Sequence, residues 1–205
     1  MFELILLMLH MAAVPSAAPV SPPPPCVPPA ISSLPGPPAR HEIHFVPQDC
    51  HFWCWAASGQ MIMHYFGKDV SQCQQASAVS PSPCCDASGN AVCSTDCDES
   101  GWPLLEDYGF TYDVAVGKAL SQATIRQQIG CLRKPIAHAY RYIAGWDFGH
   151  MVVVYGYYTD TAGVFWLETY NPEIGVETIP YSTYKTGPFA SSVPWRDYYN
   201  FVRVK

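Results

Sequence analysis

Pro135 divides this chain into two textures, and that change constrains the fold more than any other feature. Before it, apolar residues recur at helical spacing. In CWAASGQMIMHYF, Trp55, Gly59, Ile62, Met63 and Phe66 follow such a spacing and Gly67 supplies a stop. The spacing predicts a helix over 54–66, with further helices over 70–79, 102–108 and 121–132. After Pro135, residues 136–143, 151–158, 164–170, 176–179 and 198–204 form β-branched and aromatic runs punctuated by Gly and Pro, which predict strands. Helices followed by strands imply an α+β fold, with the N-terminal central helix packed against an antiparallel β-sheet. No internal repeat is visible.

The chain has 205 residues, about the size of one domain, and 49% hydrophobic against 14% charged residues describes a core-forming protein. A net charge of −6 leaves no basic surplus to neutralise phosphates, so nucleic acid is not an expected partner. Residues 4–14 are apolar apart from His10, about half of the ~20 residues that span a bilayer as a helix. Small residues follow at Ser16, Ala17 and Ala18, so 1–18 reads as a secretory signal peptide, although Glu3 stands where a basic residue is usual. Eleven of the twenty prolines fall between Pro15 and Pro38 and favour an extended spacer, so 19–40 is expected to be a Pro-rich disordered linker. The folded domain is expected over 41–205, as a monomer secreted to the cell exterior or periplasm. Nine cysteines are more than a cytosolic enzyme usually carries and agree with an oxidising compartment.

Four residues could carry chemistry together. Gln48 precedes Cys54 by six positions, Cys54 opens the predicted helix, His150 enters an apolar strand in GHMVVVYGYY, and Asn171 lies in ETYNP. A cysteine at a helix N-terminus sits among unsatisfied N–H groups that favour thiolate over thiol. His150 could pair with that thiolate and later protonate a leaving amine, while Asn171 holds the second ring nitrogen. Paired in this way, the thiol is expected to titrate below its free value and the imidazole above its own. The Gln48 amide and the Cys54 N–H could face a developing oxyanion.

At these residues the chain resembles the papain-like cysteine peptidases. Gln48, Cys54-Trp55-Ala56, His150 leading a strand that ends in Gly156-Tyr157, and the following Asn171 match the family pattern. The resemblance spans roughly 44–205 and implies a papain-like fold, peptide-bond hydrolysis through an acyl-enzyme on Cys54, a protein or peptide substrate, and no cofactor or metal. His150 follows Cys54 by 96 residues and Asn171 by 117, shorter than the ~130–150 of papain and cathepsins. That compactness is similar to the small effector peptidases and leader-cleaving peptidases of bacteria. An acyl transferase or deamidase using the same chemistry, or a secreted binding module with this fold, are the alternative readings.

Rival residues have other roles open to them. Cys50 reads as a disulfide partner, and His138, His64 and His51 as core or surface histidines. Glu168 is an alternative to Asn171 for orienting the histidine. Five cysteines lie between Cys73 and Cys97, in a stretch over 69–117 with eight acidic residues and no Lys or Arg. Disulfides are the preferred reading there over zinc on Cys85, Cys93 and Cys97, and a solvated acidic loop over calcium on Asp96, Asp98 and Glu99.

Overall fold

The computed structural model describes residues 36–145 and 147–204. The expected signal peptide over 1–18, Cys26, and the expected linker as far as residue 35 lie outside them. Seven antiparallel strands make one sheet: β1 (Gly36–Arg40), β2 (Phe110–Val116), β3 (Ile136–Arg141), β4 (Gly149–Thr159), β5 (Phe165–Asn171), β6 (Gly175–Pro180) and β7 (Val193–Arg203). The spatial order is β2-β7-β3-β4-β5-β6. Strand β4 pairs with β3 through residues 149–154, and β1 then takes residues 156–159 of β4. The sheet therefore begins at Gly36, five residues before the boundary read at 41, and the end of the expected linker is strand. A short edge strand tolerates Pro37 and Pro38 because its ladder is incomplete, with a register shift between Gly36 and Ala39.

Helices cover both faces. On one lies α1 (Cys54–Tyr65), the central helix expected from the sequence, with α2 (Gln72–Val79) beside it. Eight of the twelve α1 residues are buried, and Trp55, Ala56, Met61, Ile62 and Met63 join Met151, Val153 and Tyr155 of β4 in one core. Each large apolar side chain so buried contributes roughly 1.5–3 kcal/mol. Gly59 lets α2 approach, because a Cβ there would strike the Gln75 amide and Pro103. Gln75 Nε2 meanwhile donates to the Ala56 carbonyl at 2.8 Å. Helix α2 starts at a Ser71/Gln74 capping box, whereas α1 has no side-chain cap, leaving the N–H groups beside Cys54 uncovered by the chain's own side chains.

The opposite face carries a second core, around Ile125, Ile129, Val154, Leu167 and Tyr184. It is covered by α3 (Gln122–Ile125), the π-helical turn Arg126–Cys131 and α4 (Tyr181–Thr186). The helix expected over 121–132 is thus a short α-helix that widens into a π-turn, and the one expected over 102–108 is a series of turns.

Three disulfides fasten the cysteine-rich loop: Cys50–Cys93, Cys73–Cys85 and Cys84–Cys97. The adjacent Cys84 and Cys85 bond in different directions, one closing the loop and one tying it to α2. Cys85, Cys93 and Cys97, the zinc candidates, are all consumed by these bonds. Asp96 accepts from Ser82 Oγ and Asp98 from the Phe52 N–H, and no metal-holding cluster of His, Cys, Asp or Glu occurs among the described residues.

Candidate active site

The loop leading into α1 is held from three sides. The Gln48 N–H bonds the Pro172 carbonyl at 3.0 Å, which fastens the loop to the end of β5. The Gln72 side chain accepts from Asp49 N at 2.9 Å and donates to the Pro47 carbonyl at 2.8 Å. The Cys50–Cys93 bond and the Trp53 indole, which donates to the Cys97 carbonyl at 2.6 Å, attach it to the cysteine-rich loop. So restrained, the chain turns into α1 and places Cys54 at the helix's first position, where it is the free cysteine among the described residues.

A single cavity of about 460 Å³ is lined by Gln48, Cys54, His150 and Glu173, among others. Strand β4 delivers His150 to it. His150 is 5% exposed, and its Nε2 lies 2.7 Å from Asn171 Oδ1. The Asn171 amide is oriented by its other contacts: Oδ1 accepts from the Glu173 N–H at 3.1 Å and Nδ2 donates to Glu177 Oε2 at 3.2 Å. An oxygen facing the ring requires Nε2 to carry the hydrogen, so the lone pair of the neutral imidazole resides on Nδ1.

Burial pushes the Cys54 thiol up to about 11, offset in part by the N–H groups of Met151, Trp55 and Cys54 and reinforced by Glu173. Burial also lowers the His150 pKa, against the Asn171 bond and the charges of Glu173 and Glu177. These directions are opposite to those expected from the sequence. The reason is desolvation, which disfavours the charged form of each group.

Gln48 also lines the cavity. Its Nε2 donates to the His51 carbonyl at 2.6 Å, which uses one of two amide hydrogens, and its buried Oε1 has no hydrogen-bond partner. Of the rivals, His51 is exposed and also lines the cavity, and the others lie elsewhere. Cys50 is in a disulfide, His64 pairs with Asp69, and His138 is buried against Asp197 at 2.6 Å. Glu168 pairs with Arg40 at 2.7 Å instead of reaching His150. Glu177, which orients the Asn171 amide, escaped the sequence reading because an acidic residue on an edge strand reads as solvated.

A cysteine at the head of a buried central helix, sharing a cavity with a histidine from an antiparallel sheet, is the arrangement expected of a papain-like cysteine peptidase. The family model described as "Papain-like cysteine protease AvrRpt2" matches residues 40–178, more than half of the chain, and the protein belongs to that family. Among solved structures the chain is similar to one described as a double glycine motif protease from an AMS/PCAT transporter in complex with the leader peptide. The identity is 16% and the TM-score 0.45, over 80% of this chain and 96% of that one. No curated protein matches the sequence.

Proposed function

We propose that the protein is a secreted peptidase that hydrolyses peptide bonds through an acyl-enzyme on Cys54. The observation that carries the reading is the His150–Asn171 bond. It commits Nε2 to Asn171 and leaves Nδ1 to receive the thiol proton. As the Cys54 sulfur attacks the scissile carbonyl carbon, its proton passes to Nδ1 and a C–S bond forms. The oxyanion is received by the Cys54 N–H and the second Nε2 hydrogen of Gln48. The C–N bond then breaks, and the Nδ1 proton goes to the departing amine. Water attacks the thioester, passes a proton to Nδ1, and the sulfur leaves and regains it.

Secretion is supported by the three disulfides, which persist in oxidising compartments, and by the sequence of the first eighteen residues. Among the described residues no helix is long and apolar enough to cross a membrane. The substrate is a protein or peptide, and the enzyme acts as a monomer. Fluorogenic peptides tested against the parent and His150→Ala check this reading. Hydrolysis is expected from the parent and its loss in the variant; equal hydrolysis by both would remove His150 from the reaction.

A further inference from the structure

The protein has eleven Lys and Arg residues in all, none of them over 69–117, yet Arg141 and Arg196 both line the cavity that holds Cys54 and His150. Arg141 ends β3, and its guanidinium lies over the Trp195 ring, 4.4 Å from the centroid. Arg196, the next residue along β7, lies over Trp102 at 4.3 Å. The two tryptophans meet edge to face at 4.5 Å, so indoles and guanidiniums build one continuous wall. Stacking fixes the guanidinium planes without using their N–H groups.

Those N–H groups are underused. Nε of both arginines is buried and has no hydrogen-bond partner. Arg141 has Asp147 at 3.5 Å, but that carboxylate is 92% exposed at the rim and screened by water. Arg196 makes no ion pair among the described residues, and its Nη1 donates to the Tyr198 hydroxyl at 3.3 Å. Other carboxylates near the cleft are committed elsewhere. Glu106 accepts from the Tyr112 hydroxyl, while Glu173 and Glu177 act on His150. The cleft is therefore polar along its length, with acidic groups beside the histidine and two arginines against the tryptophans.

We infer that this Trp102–Trp195 end of the cleft is a subsite for a carboxylate of the bound peptide, with Arg196 as its principal ligand and Arg141 as its second. A carboxylate accepts two parallel N–H bonds from a guanidinium, supplying the acceptor that the buried Nε lacks. The indoles exclude water and strengthen that contact. The carboxylate belongs to an Asp or Glu side chain or to the peptide's C-terminus. The inference rests on the peptidase reading only in taking the ligand to be a peptide.

The test uses the full chain with Cys54→Ala, so that binding is measured without turnover. Blocked hexapeptides carrying Asp or Glu at one position are compared with their Asn or Gln twins, and neutral hexapeptides with a free C-terminus with their amidated twins. At one position, or at the terminus, the carboxylate form is expected to bind about tenfold tighter, the usual advantage of a charge-assisted pair. Adding Arg196→Gln should bring the twins to near-equal affinity, and Arg196→Glu should shift preference to Lys, with thermal unfolding as the check on folding. Arg203→Gln, far from the cleft against the Phe66 and Gly67 carbonyls, should leave the preference unchanged. Equal affinity of every carboxylate peptide and its twin, or no binding of any peptide, overturns the inference whatever the variants do. So does a preference that survives both Arg196→Gln and Arg141→Gln. Failure of the peptidase reading shows separately, as absence of hydrolysis when the parent meets the same peptides.

Discussion

Truncating Asn171 to Ala removes the acceptor of the 2.7 Å bond from His150 Nε2 and leaves a buried N–H without a partner. Such a loss costs about 1–3 kcal/mol, which is a factor of roughly 5–150 in rate if it falls on the transition state. The ring is also released to turn its Nδ1 away from Cys54, so a fall in kcat/KM towards the upper end of that range is expected, with KM little changed. The pH profile should move as well. The Asn171 bond raises the His150 pKa against burial, so its loss lowers that pKa further and the imidazole stays neutral to lower pH. The acid limb of activity should therefore shift to lower pH in Asn171→Ala. In Asn171→Asp the new charge favours imidazolium, and the limb should shift to higher pH, at the cost of placing the new carboxylate close to Glu177. The assay is steady-state hydrolysis of a fluorogenic peptide across the pH range, with thermal unfolding to confirm folding. A folded Asn171→Ala variant whose kcat/KM and acid limb match the parent would refute the positioning role.

Gln48→Ala should lower kcat by ~10²–10³, the usual cost of one oxyanion donor, and an unchanged kcat would make Gln48 only a strut of the loop. Alkylation of Cys54 by iodoacetamide should require a higher pH in His150→Ala than in the parent, where the imidazole is proposed to accept the thiol proton; identical rate profiles would separate the two residues. His41 is 2% exposed with both ring nitrogens unpartnered, and burial together with Arg133 lowers its pKa from 6.5 to about 4. Its unfolded form binds a proton first as pH falls, so up to about 3 kcal/mol of stability should be lost between pH 6.5 and pH 4, and His41→Phe should unfold with a weaker acid dependence in chemical denaturation. Opening the 43-residue Cys50–Cys93 link by a double Ala substitution should cost about 4 kcal/mol on the chain-entropy model, and a denaturation midpoint equal to the parent's would refute that.

The central helix was legible because its residues fall at helical spacing and Gly67 ends it, and the long strands because β-branched and aromatic runs fill them. The irregular elements were hidden by specific chemistry. Strand β1 reads as spacer because Pro37 and Pro38 lie in it. Strand β2 exposes Thr111, Val114 and Val116 at the sheet edge, so it lacks a clean alternation. Strand β7 starts five residues before the expected 198 because Pro194 interrupts the pattern, a break taken up by a register shift between Ala139 and Tyr140 of β3. At the site, Cys54, His150 and Asn171 were legible as a spaced set. Period-two alternation also separates Glu168 from Asn171, since residues three apart on one strand face opposite sides. Glu177 and the two arginines were not legible, because their meaning depends on which strands become neighbours. The titration of the two groups also runs against the local signal: a helix start favours thiolate, but burial disfavours the charged form of each group.

The central claim is that Cys54 carries the acyl group, and rapid-quench mass spectrometry of the protein mixed with a cleaved peptide ester tests it most directly. The expected result is one acyl mass increment per chain, mapped to the peptide containing Cys54, that appears before product release and is absent from Cys54→Ala, which also fails to hydrolyse the substrate. An increment on another residue, or hydrolysis by Cys54→Ala at the parent's rate, would contradict the account.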